Sequence, residues 1–551
     1  MTHDVLVVGG GAAGACIARA CARAGLATAL VERDDFGAAT SANNLKIFHG
    51  GLRDLRRLDF GAVRSGAREQ AAWMRMAPHL VDPLPFLLPT YRNPGQSRIA
   101  LRAALTLAGM LAGPRPARAL PGWRIMGRKE ALECVPDLPG GLTGAALWHE
   151  GQMYSAERVV WALVRSAQAA GAQAANHTEA HALLRGPDGA VAGARVRDAL
   201  TGVEAEIRAG CTVIATGATT PRLTAVLLGT PLAPVAWSLA MNVVLPDLGY
   251  RTAFALRSRP AGGAPRQLLF VPWRGRTLLG TGHFAYAGDP AEFDRDEVDP
   301  GPLLAEANGA WDGPRVDRDD VLLTHAGLLP LEPGRRVAPD RLLRDPVIRD
   351  HAPDGDAGLI SVLSVRFSYA RRLAESVLDA VIASLGQGGR LERRKGRTSE
   401  SIPPAEPDPL PGGAGFRPGG DDLPAQLPSD VRGHLARCYG SEASAVLASV
   451  RGVDGWDRRV LDGEPVIFGQ FVHGARAEMA RTVDDLVWRR TEIGPRGLAD
   501  ETAAERARAA LAIAERAADP RRGDFPERRR SAAQGTPARV ADGVEGDDGG
   551  S

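Results

Sequence analysis

The start of the chain contains the pattern that most restricts how the protein can fold. Residues 4–8 read DVLVV, a short apolar run typical of a strand that is buried in a parallel sheet. The run leads directly into Gly9, Gly11 and Gly14, which have the spacing G-x-G-x-x-G, and an alanine-rich stretch over residues 15–24 follows. This order predicts a strand, a glycine turn and a helix.

The three glycines and the next strand together indicate a dinucleotide site. Gly9 would make the tight turn, Gly11 would let the backbone approach a pyrophosphate, and Gly14 would let the helix pack on the strand. A second apolar run over residues 28–31 ends on Glu32, whose carboxylate could accept hydrogen bonds from a ribose. The unit does not distinguish FAD from NAD, because both contain the same ADP half. A glycine-rich turn without a ligand is the alternative.

Two later segments are expected to join the same sheet. Residues 211–217 read CTVIATG and predict a strand that stops beside the cofactor. Residues 359–365 read LISVLSV, and Arg366 and an amphipathic helix over residues 368–385 follow. We therefore expect an α/β fold in which separate segments build one Rossmann-type domain.

The composition excludes several classes of function. The 551 residues include 67 Lys and Arg and 65 Asp and Glu, which are interspersed and leave a net charge of +2, so we expect no nucleic-acid partner. The five cysteines lack CxxC spacing, and no metal site is predicted. The first strand leaves no room for a signal peptide, and no apolar run reaches the roughly 18 residues of a membrane span. A cytoplasmic location is expected.

Several motifs resemble the FAD-dependent glycerol-3-phosphate dehydrogenases, within the wider D-amino-acid-oxidase-like group of flavoproteins. The resemblance covers most of residues 4–515 and implies FAD as the cofactor. It also implies a helical C-terminal domain, which most relatives in the wider group lack. The motifs are GGGAAGA from residue 9, ERDDFGAATSANNLKIFHGGLR from residue 32, ATG from residue 215, GTGHFAYAGDP from residue 280, AGLLPL from residue 326 and EMARTVDDLVWRRT from residue 478.

The resemblance also implies a set of site residues. The catalytic candidates are His49, Arg53, His283 and Arg366, with His49 and His283 as the two imidazoles that could accept a proton. The residues expected to hold the cofactor are Gly9, Gly11, Gly14, Glu32, Thr40, Ser41, Lys46, His49, Gly50, Gly217 and Arg366.

The expected reaction is a two-electron oxidation of a CH–OH group, with hydride transfer to the flavin and electron transfer to a quinone or another acceptor. The family's cations at two positions are replaced here by Leu239 and Leu329, while Arg53 and Arg366 keep theirs. The substrate is therefore expected to be a small polyol phosphate or a related, bulkier or less charged hydroxy compound. A flavin oxidase that uses oxygen and a non-catalytic flavoprotein are the alternatives.

The motifs and strand patterns predict an interleaved organisation. Residues 98–113 are apolar and helix-prone, and they form either a buried helix of the substrate domain or a helix in peripheral contact with the inner face of the membrane. Arg489 and Arg490 are expected on a solvated face of a helix near residues 475–491. We expect an FAD domain over 1–85, 150–230 and 350–390, a substrate domain with an antiparallel sheet over 86–149 and 231–349, a linker over 391–425, a helical domain over 426–518 and a disordered tail over 519–551.

Overall fold

The computed structural model describes residues 2–52, 58–93, 96–112, 120–229, 235–258, 265–334, 338–387 and 408–518. The strands are β1 (Thr2–Val8), β2 (Thr28–Val31), β3 (Ile47–Phe48), β4 (Val81–Thr90), β5 (Arg124–Gly127), β6 (Gly144–Met153), β7 (Gln173–Ala175), β8 (Thr178–Arg185), β9 (Val191–Asp198), β10 (Glu204–Ile214), β11 (Trp237–Pro246), β12 (Ala253–Ser258), β13 (Arg266–Trp273), β14 (Arg276–Tyr286), β15 (Leu323–Pro330), β16 (Val347–Asp350) and β17 (Leu359–Leu363). The helices are α1 (Ala12–Arg23), α2 (Phe60–Met76), α3 (Arg98–Ala112), α4 (Arg128–Cys134), α5 (Ala156–Ala169), α6 (Thr220–Leu228), α7 (Gly301–Asn308), α8 (Ala370–Gln387), α9 (Ser429–Tyr439), α10 (Ala443–Val450), α11 (Phe468–Ala477) and α12 (Glu501–Ala518).

The first sheet has a parallel centre, as the apolar runs predict. Its strands lie in the order β16-β17-β10-β1-β2-β7, and β8 and β9 extend it beside β10. Strand β1 pairs in parallel with both β2 and β10, and β17 pairs in parallel with β10. Helix α1 packs against α5 and α8. The central strands are apolar throughout because helices cover one face and the β8–β9 pair packs near the other. The Rossmann-type α/β expectation is confirmed.

The second sheet lies on the other side of the cofactor region. Its strands lie in the order β15-β11-β14-β13-β12-β4-β6-β3, and β5 pairs with β6. Neighbouring strands are antiparallel except β12 and β4, which run parallel, with Ala253 opposite Phe86. One face buries a cluster that includes Val243, Phe254 and Phe270. The sheet is therefore mostly antiparallel, and one parallel pair departs from the sequence expectation.

The chain enters the second sheet earlier than the sequence suggests. Ile47 of β3 pairs with Gln152, and β4 begins at Val81, so both strands belong to the second sheet although they lie within residues 1–85. The cause is pairing with β6, because Val81 lies opposite Met153 at one end of that ladder. The segment between Glu32 and β3 thus connects the two sheets along the cofactor region.

Helix α3 covers residues 98–112 and lies at the surface, with six residues exposed and eight half-buried. In this helix, all of whose residues are described, Leu105 alone is buried. Ile99 and Met110 are 83% and 73% exposed. The buried-helix alternative is therefore wrong. Among the described residues, no helix is both long and apolar enough to cross a membrane.

The C-terminal region is helical but differs from its prediction in two ways. The helix expected near residues 475–491 is divided into α11 and a separate π-helical turn, Asp485–Arg490. Met479, at φ +59°, ends the first part, and the Asp485 carboxylate accepts from the amides of Arg481 and Thr482 at the start of the second. Arg490 is 1% exposed, so its expected place on a solvated face is wrong.

The structure describes only part of the expected linker and none of the expected tail. Residues 391–407 and 519–551 lie outside the described residues. From Asp408 onward the chain is packed: Leu410 is buried in the main core, and its amide donates to the Met76 carbonyl at 2.7 Å. The second half of residues 391–425 is therefore held against α2.

Candidate active site

A cavity of about 1670 Å³ lies between the two sheets. Its walls include the carboxyl ends of the parallel strands, the segment after Glu32, and strands β11, β14 and β15. In open parallel sheets, ligands bind outside the carboxyl ends of the strands. A dinucleotide and a substrate are therefore expected to bind in this cavity.

The glycine turn at one end of the cavity has the geometry that the spacing predicts. Gly9 has φ +107°, and a Cβ there would lie 2.6 Å from the Ala215 carbonyl oxygen. A Cβ on Gly14 would lie 1.8 Å from the Gly9 carbonyl oxygen, so only glycine lets α1 pack this closely on β1. Both glycines are required by backbone contacts alone.

Gly11 is different, because its space opens to the cavity. A Cβ on Gly11 would meet only the Ser41 hydroxyl, at 3.0 Å, among the described atoms within 4 Å. Gly11 is also the N-cap of α1, and the next amide, that of Ala12, donates to the Ser41 Oγ at 3.0 Å. A helix N-terminus that faces such a space suits a pyrophosphate. The residues present fit the dinucleotide.

Glu32 lines the same end of the cavity. Its carboxylate accepts from the amides of Gly10, at 2.6 Å, and Asp34, at 3.0 Å. Burial raises the pKa of Glu32, while these two amide bonds act in the opposite direction. The carboxylate is thus held at the strand end, where a ribose would lie.

Other predicted cofactor residues also reach the cavity. Thr40, Ser41 and Gly217 line it, and Gly217 has φ +63°. Thr40 also lies against Gly327 of β15, where a Cβ would come within 2.9 Å of the threonine side chain. The segment after Glu32 is therefore in close contact with the second sheet.

Lys46 and Gly50 are not placed as expected. The Lys46 side chain is fully buried away from the cavity, where its Nζ lies 2.8 Å from Glu157 and 5.3 Å from the centre of the Trp273 ring. Burial lowers the pKa of Lys46, and Glu157 opposes this shift. Gly50 lies against Gln70, and its amide donates to Glu150. Neither residue lines the cavity, and both lie behind the residues that do.

His49 lines the cavity beside a carboxylate that sequence reasoning missed. Its Nδ1 lies 4.0 Å from the Oε1 of Glu150, and the imidazole is 53% exposed. Glu150 is 4% exposed and accepts from the Gly50 amide, the Gln70 side chain and the Trp148 ring. The Glu150 carboxylate is therefore held in a fixed place beside the His49 ring. No local motif marks Glu150, because two of its three donors, Gly50 and Gln70, come from other parts of the chain.

Strand alternation decides which residues of β11 face the cavity. Ala240 and Asn242 line it, whereas Leu239 does not. Asn242 accepts from the Thr281 hydroxyl at 2.8 Å, and Thr281 lines the cavity too. Leu239 therefore does not change the lining of the cavity, although it replaces a family cation.

The remaining catalytic candidates are distributed around the cavity. His283 lines it, with its Nδ1 3.1 Å from the Ser238 hydroxyl. Arg366 lines it as well, with its guanidinium 5.2 Å from the centre of the Tyr369 ring. Arg53 lies outside the described residues. Leu329 lines the cavity. Its replacement of a family cation therefore removes a positive charge from the lining.

Cations that the sequence analysis did not select also reach the cavity. Arg295, Arg341 and Arg344 line it, and Arg344 lies 3.6 Å from Glu332. These arginines belong to loops, where arginine is the default basic residue of this chain and provides no motif. Arg295 also pairs with Asp296, so part of this positive charge is already balanced by carboxylates of the lining.

One group of three potential metal ligands occurs in the described part of the chain, although none was predicted. His434, Cys438 and Glu492 are all buried, with ligand atoms within 4.8 Å of one another. Arg274 already pairs with Glu492 at 2.7 Å and lies 3.2 Å from the Nδ1 of His434. A guanidinium occupies the place where a cation would bind, so we describe the group as a buried polar contact.

Comparison with known proteins identifies the family of the chain. The model of the FAD-dependent oxidoreductase family matches residues 4–364, and the model of the C-terminal domain of alpha-glycerophosphate oxidase matches residues 405–519. Glycerol-3-phosphate dehydrogenase from Synechocystis sp. is 29% identical over 89% of each chain. The mitochondrial glycerol-3-phosphate dehydrogenase of Bos taurus is 31% identical over 89% of this chain and 67% of its own length.

A solved structure shares the whole fold. The glycerol-3-phosphate dehydrogenase of Bacillus halodurans, complexed with FAD, aligns with a TM-score of 0.64 and 23% identity over 94% of this chain and 95% of that one. The cofactor of the present chain is FAD, since the family requires it and the glycine turn fits it. The chain is an oxidoreductase that belongs to the family of FAD-dependent glycerol-3-phosphate dehydrogenases.

Proposed function

We propose that this enzyme oxidises the CH–OH group of a small polyol phosphate, or of a related hydroxy compound, and passes the electrons to a quinone. The observation that supports this most directly is that His49, Arg366 and the glycine turn line one cavity. A proton acceptor, a cation and a dinucleotide cradle are the groups that such an oxidation needs. The names of the relatives support the same substrate class.

His49 is the proposed proton acceptor. The bound FAD would supply the acceptor for the hydride of the substrate carbon. The hydroxyl of that carbon must lose its proton, and His49 offers a half-exposed imidazole for it. Glu150, at 4.0 Å, stabilises the imidazolium that results. His283, which bonds Ser238, is the alternative acceptor.

Arg366 is the proposed contact for the negative charge of the substrate, together with Arg53 from the family pattern. A charge-assisted hydrogen bond contributes about 1.5–3 kcal/mol, so one arginine in place of two would weaken phosphate binding by at least about tenfold. Leu329 removes one cation from the lining, and Arg341 and Arg344 add positive charge in the same cavity. The cavity therefore supports an anionic substrate, and its size allows one larger than glycerol 3-phosphate.

An apolar branch of the cavity supports a quinone as the electron acceptor. Leu101 and Leu105 of α3 line it together with Phe86 and Trp148 of the second sheet. The opposite face of α3 exposes the side chains of Ile99 and Met110. An amphipathic helix with this face suits the surface of a membrane, which is the source of apolar quinones. We propose peripheral contact through α3.

Anaerobic mixing of the yellow holoenzyme with glycerol 3-phosphate, glycerol and larger polyol phosphates tests the proposal. Loss of flavin absorbance with a phosphorylated polyol is expected. Reduction by glycerol and by no phosphorylated polyol would overturn the anionic substrate and assign an uncharged hydroxy compound. Reduction by none of these compounds would contradict an active dehydrogenase of this class. Mixing the reduced enzyme with a water-soluble quinone or with oxygen then identifies the acceptor. Faster reoxidation by oxygen would favour an oxidase.

A further inference from the structure

We propose that the C-terminal helical region is part of the cofactor site, because it holds the loop that forms one wall of that site. The loop comprises residues 33–46, directly after Glu32. The turn Asp485–Arg490 supplies the side chains that hold it. This proposal concerns FAD affinity alone and is independent of the substrate and the acceptor proposed above.

The loop needs external support because it forms no regular structure. Residues 33–46 contain turns and bends without a strand or a helix, all within the described residues. Ala38, Thr40 and Ser41 of this loop line the cavity. Ordering a segment of this kind has an entropic cost, which reduces the affinity of any ligand that requires the ordered form. A contact that keeps the loop ordered before the cofactor arrives removes that cost.

Arg490 makes the principal contact. Its guanidinium forms a bidentate ion pair with Asp35, with Nη1–Oδ2 and Nη2–Oδ1 distances of 2.5 and 3.0 Å. Both side chains are almost completely buried, at 1% and 3% exposed. Two parallel bonds fix the orientation of the carboxylate as well as its position. The loop is therefore held at Asp35, three residues before Ala38.

Two further bonds support the same part of the loop. The Nη2 of Arg489 donates to the Ala38 carbonyl at 3.0 Å. The side-chain amide of Asn176 donates both to Asp35, at 2.8 Å, and to the Met479 carbonyl of the C-terminal region, at 2.9 Å. The loop is thus connected to the C-terminal region at more than one point.

Arg490 is itself rigidly placed. Its Nε donates to the Glu478 carbonyl at 2.7 Å, and its guanidinium lies 4.7 Å from the centre of the Trp161 ring of α5. The turn that carries it begins at Asp485, which bonds the His177 imidazole at 2.9 Å. These contacts fix the Arg490 side chain. Its ion pair with Asp35 therefore holds the loop in a fixed position relative to the C-terminal region and α5.

The chain offers a matched control for this proposal. Arg158 of α5 forms a second buried ion pair across the same interface, in which its Nη1 donates to both carboxylate oxygens of Glu478, at 2.9 and 2.7 Å. Arg158 and Glu478 are as deeply buried as Arg490 and Asp35, but among the described residues neither forms a hydrogen bond or ion pair with residues 33–46. Replacing either arginine removes one buried ion pair, but only the replacement of Arg490 removes a bond to the loop.

The test compares Arg490→Gln with Arg158→Gln in the full chain. The flavin is removed, and FAD is titrated back while its fluorescence is followed. Arg490→Gln should raise the Kd for FAD by at least about tenfold, and Arg158→Gln should leave it within about twofold, although both lower the melting temperature. Equal effects of the two variants, or an unchanged Kd in folded Arg490→Gln, would overturn the proposal.

A milder variant keeps the proposal testable if Arg490→Gln does not fold. Arg489→Ala removes the bond to the Ala38 carbonyl and leaves both buried ion pairs in place. We expect its Kd for FAD to rise by about tenfold, the loss of one charge-assisted bond. An unchanged Kd in this variant would also count against the proposal.

Discussion

Phe48 and Phe367 meet edge to face, with their ring centres 5.6 Å apart. Trp73 of α2 stacks on Phe48, at 4.8 Å, and contacts Phe367 as well. His49 and Arg366 are the chain neighbours of the two phenylalanines, and both line the cavity. Packing of three aromatic rings thus sets where the proposed proton acceptor and the proposed anion contact lie.

His49 and Glu150 should act together in flavin reduction. His49→Asn should slow anaerobic reduction of the flavin by the substrate by about 10²- to 10⁴-fold, because a positioned base contributes about that much. Glu150→Gln should cause a smaller loss, about tenfold, because it weakens the stabilisation of the imidazolium. Stopped-flow absorbance measures both rates. The control is His283→Asn, and a larger loss in that variant would assign the proton to His283.

Leu329 and Leu239 should differ as sites for a new cation. Leu329→Arg should lower the KM for glycerol 3-phosphate by about tenfold, because a charge-assisted bond to phosphate becomes available in the cavity. Leu239→Arg should have no such effect, since Leu239 does not line the cavity. Steady-state turnover with an artificial acceptor checks both. The same gain in the two variants would contradict the assignment of faces on β11.

Gly11 should be required for flavin and dispensable for folding. Gly11→Val places its side chain in the space that opens to the cavity, and the flavin content should fall by roughly tenfold or more. Absorbance at 450 nm per protein, with circular dichroism for folding, measures this. Gly433→Val in α9, where a Cβ meets nothing within 4 Å, is the matched control. Full flavin content in Gly11→Val would show that the pyrophosphate lies elsewhere.

The exposed face of α3 should carry membrane contact. Ile99→Glu with Met110→Glu should reduce binding to vesicles of anionic lipid by about tenfold or more, because each buried apolar side chain contributes about 1.5–3 kcal/mol. Co-sedimentation measures the bound fraction. Val203→Glu, at a similarly exposed valine (66%) outside α3, should have no effect. Wild-type protein that stays entirely unbound would remove the proposal of membrane contact.

Buried histidines should make the fold sensitive to mild acid. Burial, with nearby positive charges, lowers the pKa of His79, His325 and His434 to about 3 each. The unfolded chain takes up these protons near pH 6.5 and the native protein does not, so stability is complete above pH 6.5 and falls as the pH decreases toward 3. At pH 5 each histidine should reduce stability by about 2 kcal/mol.

Thermal unfolding between pH 5 and pH 8 checks this dependence. The melting temperature should fall below pH 6.5, and His79→Gln should make the fall less steep. A melting temperature that does not change between pH 7 and pH 5 would contradict it. The buried carboxylates add a later loss, because the pKa values of Glu478 and Glu492, held at about 2 by neighbouring arginines against the effect of burial, matter only below pH 4.5.

Local spacing in the chain was enough to predict the parts of this protein that lie within one supersecondary unit. Gly9, Gly11, Gly14 and Glu32 lie within one strand–helix–strand unit, so their relative positions follow from the chain geometry of that unit alone. The periodic apolar runs predicted the central parallel strands and α8 for the same reason. Motif order then sufficed for the family and for FAD.

The tertiary structure alone decided which distant side chains meet and which faces they use. Strand alternation allows either parity, and only the position of β11 against the cavity separates Asn242 from Leu239. Glu150 acquires two of its three donors, Gly50 and Gln70, from distant parts of the chain, and Arg490 reaches Asp35 from the other end of the chain. Such contacts form between residues far apart in sequence, where no short-range spacing constrains the distance between them, so only the packing of the folded elements determines them.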